Sequence, residues 1–492
     1  MGRRSRKAGD DEGNEPKRTR NVVGAQFEEN TLAILDGHES GRQQSQYTHD
    51  DSIAFLEAVR NAAVVAKNAH PPTDKMLDAV FEILKTGMSM ESMTLSYQLL
   101  CELETRFPRV SFSVGKAPHS SPACGMECES EPLKGAWSPF SLSSDSITRE
   151  RATFSDGSSA SFDPIRFHAL IQELAEMVNA ANHSTLDLKS LRNLLVSHYL
   201  AKVLQEDFAS PKDFPKEPKD WIAIRESLLN MILSSRKMNY KDFIKDCLSL
   251  VSGMGQFLAG LGTDDGSLRS STMNSSKDCC NIIVIPLLEV GENVSLAIQK
   301  LLIMMMELDS LRKYADMQGF TTRADAVRTP TADIMLDELI YNDDILSPFL
   351  QAFDQQQWKL SIILQYFAKY MLKPTVRTRK GSDSSNHYTF NGVLKSLSEP
   401  SSLKGITKKI GSNTIQLLLA HAFKSHLSLA NNPDLHGVSA DSTEDQKGSS
   451  LIEVCCKMIS AFECLKNTEN LEIIPVGKEA LFVASAILDA SQ

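Results

Sequence analysis

From about Glu29 to Asp489, apolar residues recur at three- and four-residue spacing in one segment after another. That period lines up side chains along one face of an α-helix, whereas a strand would alternate every second residue. A chain patterned this way must bury helix face against helix face, so the predicted class is all-α. The helices group loosely in pairs every forty or so residues, near the ~40–47-residue period of HEAT and armadillo arrays, although no residue signature repeats at that period. An irregular armadillo/HEAT-like stack is therefore expected. A length of 492 residues does not demand separate domains, because each unit of such an array needs only its neighbours.

Within that frame the chain divides by composition. Residues 1–25 are charged and poor in large apolar groups, which predicts a disordered basic tail. Residues 26–108 hold the first helices, and 109–162 are rich in Ser, Gly and Pro, as a mobile loop would be. Residues 163–492 continue the helical stack with polar insertions at 262–280, 380–388 and 430–449. Several helix starts carry capping signals. They are Asp50-Asp51-Ser52, Thr73, Ser89, Asp163-Pro164, Thr329-Pro330, Ser347-Pro348 and a Ser450…Glu453 capping box. Gly87 sits where a helix would end on glycine. The segment Gln355–Leu372 is apolar around most of its circumference, Trp358 included, and is expected to be buried between neighbours. Short strands are conceivable only at Val110–Val114, Ile282–Ile285 and Ile473–Val476.

The formal charge is −10. The first twenty residues run against it, with Arg3, Arg4, Arg6, Lys7, Lys17, Arg18 and Arg20 facing four acids, a net +3 that leaves −13 on the remainder. A body this acidic is a poor general binder of nucleic acid, whose affinity comes chiefly from neutralising phosphates. The two basic clusters, separated by nine residues, resemble a bipartite nuclear import signal; the plainer reading is a solvated charged tail. Two further basic clusters, Lys373, Arg377, Arg379, Lys380 and Lys404, Lys408, Lys409, could meet phosphate or an acidic partner. The plainer reading is solvated helix ends favoured by the backbone dipole. Nine cysteines, an odd number placed mostly within apolar helical stretches, suit a reducing compartment better than a disulfide framework. No run approaches the ~18 apolar residues of a membrane span.

Catalytic patterns are missing where the spacing would reveal them. Gly253-Met254-Gly255 lacks a correctly placed third glycine and a strand before it, so helix packing is the better reading. Cys124 and Cys128 with His119 supply at most three of the four ligands that a structural zinc needs. The pairs Cys279-Cys280 and Cys455-Cys456 point to different sides of a helix. His421 and His426, five residues apart, fall on different faces. Asp333, Asp337 and Glu338 are assigned to exposed helix faces. No catalytic residue, cofactor or metal is expected, and the predicted work is to hold other macromolecules.

The C-terminal third carries recognisable segments: Asp325 to Pro330, Leu336-Asp337-Glu338-Leu339, Trp358-Lys359-Leu360, and the run from Leu364 through Tyr370 to Arg379. Ile406 to Gly411, Ala420-His421-Ala422-Phe423 and Pro475 to Glu479 follow, with Trp137-Ser138-Pro139-Phe140 and Ser235-Arg236-Lys237 upstream. In these the chain resembles the plant family called negative regulator of systemic acquired resistance, over roughly Gln26 to Asp489. The resemblance implies a nuclear, armadillo-like protein without enzymatic activity that represses pathogen-response genes. It also implies membership of the structural-maintenance-of-chromosomes 5/6 complex beside a second helical subunit, in homologous-recombination repair. The loops at 109–135 and 262–280 are longer than the family pattern. A direct nucleic-acid binder working through the C-terminal basic clusters is the alternative. Arg323 and Arg328 flank a turn before a capped helix and are expected to brace neighbouring helix ends.

Overall fold

The computed structural model describes residues 28–35, 44–66, 70–108, 137–141, 162–180, 187–208, 217–262, 278–322, 328–371, 389–431, 444–469 and 472–490. Among them the regular structure is entirely helical, and the sole β feature is an isolated bridge between Phe140 and Phe162. The all-α class expected from the apolar period holds. Two compact units form, Met1–Phe167 with Leu186–Ala209, and His168–Thr185 with Ser210–Gln492.

In the first unit, α1 (Gln44–Arg60) runs into a π-helical turn at Asn61–Val65, and α2 (Asp74–Thr86), α3 (Met90–Arg106) and α5 (Leu188–Asp207) pack together beside it. Thr73 Oγ1 accepts from the Met76 amide at 3.4 Å, and Ser89 Oγ from Ser92 at 3.1 Å, as the capping signals predicted. The start of α1 differs from expectation. The helix opens at Gln44, so Asp50, Asp51 and Ser52 lie inside it. Gly87 ends α2 at a φ of −50°, which any residue can adopt. Its smallness serves close packing instead, because a Cβ there would stand 2.7 Å from the Ile83 carbonyl and 2.9 Å from Met93. The core centres on fully buried Phe81, ringed by Tyr199, Phe162 and Trp137 at 5.8, 5.9 and 6.1 Å. Trp137 donates its indole N–H to Asp78 at 2.7 Å. The Phe162 amide donates to the Pro139 carbonyl at 2.7 Å, and the Ser141 amide to the Phe162 carbonyl at 2.8 Å. Within the 109–162 stretch the described residues, 137–141 and 162, are thus tied down by aromatic burial and two backbone hydrogen bonds.

The second unit includes most of α4 (Pro164–Asn179), whose first turn is capped by Asp163 Oδ1 accepting from Arg166 at 2.7 Å. Short helices α6 (Pro218–Arg225) and α7 (Leu228–Leu233) lead to α8 (Tyr240–Gly262). This helix packs against α9 (Asp278–Met317), α10 (Thr331–Tyr341) and α11 (Asp343–Ala352). Gly253 allows α8 to approach α4, since a Cβ there would meet Asn179 and Val178 at 2.8 and 2.9 Å. That fulfils the helix-packing reading of the glycine. At 40 residues α9 is the longest element, and its six consecutive residues Leu301 to Met306 are all buried. Ile282–Ile285 lies within α9 and is no strand; the local β-branched preference yields to its helical context. Ile473 and Ile474 form the entry to the last helix, and Val110–Val114 lies outside the described residues.

Beyond α9 come α12 (Gln356–Met371), α13 (Phe390–Leu397), α14 (Pro400–Ile410), α15 (Ser412–Asn431), α16 (Glu444–Glu469) and α17 (Pro475–Ala490). In this part α12 packs on α15, α13 on α16, and α17 on both α15 and α16. Pro348 lies inside α11 instead of opening a helix. The Ser450…Glu453 pair lies inside α16, which opens at Glu444. Cap residues signal a start only where the preceding turn is not already helical, and in both places it is.

Candidate functional site

Among the described residues, several of the histidines and carboxylates singled out from sequence hold helices together. On α12 the buried side chains are Lys359, Ile362, Ile363, Tyr366, Phe367 and Ala368, whereas Trp358 is only half-buried. The expectation for Trp358 is therefore corrected, and the buried charge beside it is Lys359, 6% exposed. Burial lowers the Lys359 ammonium to about 8, with Lys424 adding to the effect and Asp354 opposing it. Across the α12–α15 contact, Ser425 Oγ donates to Gln356 Oε1 at 2.8 Å. His421, one turn earlier on α15, is 8% exposed. Burial, followed by Lys359 and Lys424, holds its ring down at about 4, so it packs as neutral imidazole at neutral pH. His426 stacks on Phe390 at 5.4 Å. Both histidines are packing residues.

The carboxylates behave likewise. Asp337 pairs with Lys369 of α12, and Glu338 with Lys245 of α8 at 3.0 Å. They are interhelix ties, where the sequence predicted merely exposed faces. Cys455 is buried and its neighbour Cys456 exposed, on different sides of α16 as expected. Burial raises the Cys247 thiol well above its usual range and raises Cys101 and Cys455 as well. These three are protonated and poorly nucleophilic at neutral pH. Among the described residues, no group of three or more His, Cys, Asp or Glu could hold a metal ion, and no helix is long and apolar enough to cross a membrane. Cys124, Cys128 and His119 lie outside the described residues, and Cys279 and Cys280 fall in the first turn of α9.

The basic clusters divide. Arg3, Arg4, Arg6, Lys7, Lys17, Arg18 and Arg20 lie outside the described residues, as do Lys373, Arg377, Arg379, Lys380 and Arg323. Lys404, Lys408 and Lys409 are all exposed on α14, opposite buried Leu403, Ile406 and Thr407. Lys408 and Lys409 occupy the last turn, where the partial negative charge of the helix end favours them. Lys409 Nζ donates to the Tyr370 carbonyl at 3.4 Å, three positions before Lys373 in sequence. Lys404 faces an open groove of about 500 Å³ between α14 and α16, whose walls also carry Pro400, Ser460, Glu463, Cys464 and Asn467. One amine, one carboxylate and a thiol on an open wall make a contact surface, not an enclosed reaction chamber.

Sequence reasoning missed the exposed apolar surface of the last helix. Phe482 is 75% exposed, with Val483 beside it, and on the inward side only Gly477, Ala480 and Ala484 are buried. The signal was available in the small residues at three- and four-residue spacing, which mark the inward face and leave the large residues outside.

Residues 121–355 match the model of the SNI1 middle domain and residues 371–492 that of the SNI1 C-terminal domain. The chain is similar to negative regulator of systemic acquired resistance SNI1 of Arabidopsis thaliana, 38% identical over 480 residues, which span 97% of this chain and 98% of the relative. No solved structure matches. Two family-model matches and a similarity that runs nearly end to end place this chain in the SNI1 family.

Proposed function

We propose that this chain is a non-enzymatic nuclear adaptor that restrains defence genes in a plant cell, acting as a negative regulator of systemic acquired resistance. The observation that carries the reading is the near end-to-end similarity to the Arabidopsis regulator. The physical chemistry is in keeping with it. Titratable groups that could have served catalysis hold helices together instead, and what the molecule offers is outer helix surface. The finer reading is an armadillo-like subunit of the structural-maintenance-of-chromosomes 5/6 complex, paired with a second helical subunit and active in recombination repair. It enters the nucleus on an import carrier that recognises the clusters around Arg3 to Lys7 and Lys17 to Arg20.

The test is affinity purification of the full chain from plant nuclear extract. Co-recovery of the two chromosome-maintenance ATPase subunits in stoichiometric yield is the expected result. Their absence from a preparation that holds soluble, folded bait overturns the complex assignment. Removing residues 1–20 is expected to abolish nuclear accumulation while leaving thermal unfolding unchanged.

A second reading, direct contact with nucleic acid, is favoured by one observation: Lys404 and Lys408 lie one turn apart on the exposed face of α14. Titration with duplex and single-stranded DNA at two salt concentrations decides it, because phosphate contacts weaken steeply with salt. No binding at low salt removes it.

A further inference from the structure

The last helix, α17, turns its smallest residues inward. Gly477, Ala480 and Ala484 are buried, and a Cβ on Gly477 would lie 2.9 Å from Phe462 Cε1 and 3.0 Å from Ile473 Cγ2. That close approach fixes which side of the helix faces its own unit. The opposite side carries Lys478, Phe482, Ser485 and Asp489, all exposed. Their spacing of four, three and four residues forms one stripe along a helix.

Read from its two ends, the stripe complements itself. A basic group stands at one end and an acidic group at the other, with a large ring and a small hydroxyl between them. In an antiparallel pairing of two such helices, Lys478 of each copy comes opposite Asp489 of the other, and each Phe482 comes opposite Ser485. A parallel pairing sets like charge against like charge and ring against ring. We propose that this stripe is a docking face for a second copy of the same chain, the two α17 helices crossing antiparallel about a two-fold axis. Such an isologous contact is the commonest way for identical chains to associate.

Glu479, Val483, Ala486 and Ala490 border the stripe on one side; past the glutamate in the first turn, this border widens the apolar part without steric bulk. Lys478 already approaches Glu472 at 2.8 Å, but the two side chains are 57% and 86% exposed. An ion pair so open to water is weakly held, and the lysine is free to turn to Asp489 of the other copy. One helix face supplies less than the roughly 800 Å² per partner of a standard interface. The association is therefore weak and reversible, governed by Phe482. The inference is independent of the adaptor reading, since self-association and partner capture are measured separately.

Sedimentation equilibrium of the full chain, in low salt and up to on the order of 0.1 mM, tests it. A reversible monomer–dimer equilibrium with no larger species is expected. Phe482→Glu weakens it at least about tenfold, as removal of a central aromatic contact does. Phe482→Ser provides the same test without an added charge. Lys478→Glu alone also weakens dimerisation, and adding Asp489→Lys restores it, because both intermolecular pairs re-form with reversed sign. Circular dichroism confirms that each variant keeps its helix content. A wild-type chain that stays monomeric throughout overturns the proposal. So does a dimer insensitive to Phe482, or a charge reversal that fails to rescue.

Discussion

Asp309, near the end of α9, caps a helix that starts twenty-two residues later: its Oδ2 accepts from the Thr331 amide at 2.7 Å and from the Thr331 hydroxyl at 2.6 Å. The other carboxylate oxygen accepts from Arg328 Nη2 at 3.1 Å and Nε at 3.2 Å. The Arg328 guanidinium lies 4.7 Å from the centre of the Tyr240 ring, and the Tyr240 hydroxyl meets Thr331 Oγ1 at 2.6 Å. One carboxylate thus joins α8, α9 and α10. With side chains 11% and 13% exposed, the Arg328–Asp309 pair is well shielded from water.

Asp309→Ala removes the cap and leaves the guanidinium buried without its counter-charge. Breaking one side of such a pair costs about 3–5 kcal/mol. Denaturant unfolding is expected to show a loss of that order. A loss below about 1 kcal/mol, the cost of a cap alone, means that the charge pair contributes nothing.

This clasp also shows where the sequence was legible. Apolar period revealed the helices, because burial of one face is a local property written every three or four residues. Arg328 was recognised as a brace, since a charge beside a turn has few other uses. Its partner was not legible, nor was the cap. Thr329-Pro330 looked self-sufficient, yet the helix begins at Thr331 with no side-chain cap from Pro330, and the acceptor comes from another helix. The same limit hid Lys359. A lysine among apolar neighbours reads as the edge of a stripe, and only packing of α12 on α15 makes it a buried charge.

One glutamine does comparable work unannounced. Gln299 is 3% exposed; its Nε2 donates to the Ala352 carbonyl at 2.9 Å and its Oε1 accepts from the Asp354 amide at 3.0 Å. It holds the α11–α12 turn against α9. Gln299→Leu is close in size but leaves both backbone groups unmatched, which costs about 1–3 kcal/mol for each that stays dry. Faster hydrogen exchange at Asp354 checks it, and unchanged protection there sinks the account.

Lys359 makes stability depend on pH in a stated direction. Its folded-state value, about 8, lies below the usual 10.5. Between these values the unfolded chain binds the proton that the folded chain has released, so this residue's contribution to stability rises with pH. Below about pH 8 the full penalty of burying the ammonium applies. Lys359→Met is expected to stabilise the protein at pH 7 by up to about 3 kcal/mol and to lose that advantage above pH 10. Melting curves of wild type and variant at the two pH values provide the comparison. An equal difference at both means that the ammonium is as well solvated folded as unfolded.

Gly477 and Gly405 give opposite expectations for one substitution. Both are helical, and Gly→Ala in a helix normally gains up to about 1 kcal/mol. At Gly405, on the exposed face of α14, a Cβ meets nothing within 4 Å, so the gain is realised in full. At Gly477 it meets the Phe462 ring and the Ile473 methyl at 2.9 and 3.0 Å. Phe462 belongs to the buried contact between α16 and α17, and overpacking there costs about 1–3 kcal/mol. Gly477→Ala is therefore expected to lower the melting temperature while Gly405→Ala raises it. If Gly477→Ala also raises it, α17 does not sit as close to Phe462 as the structure places it, and the outward setting of Phe482 loses its support.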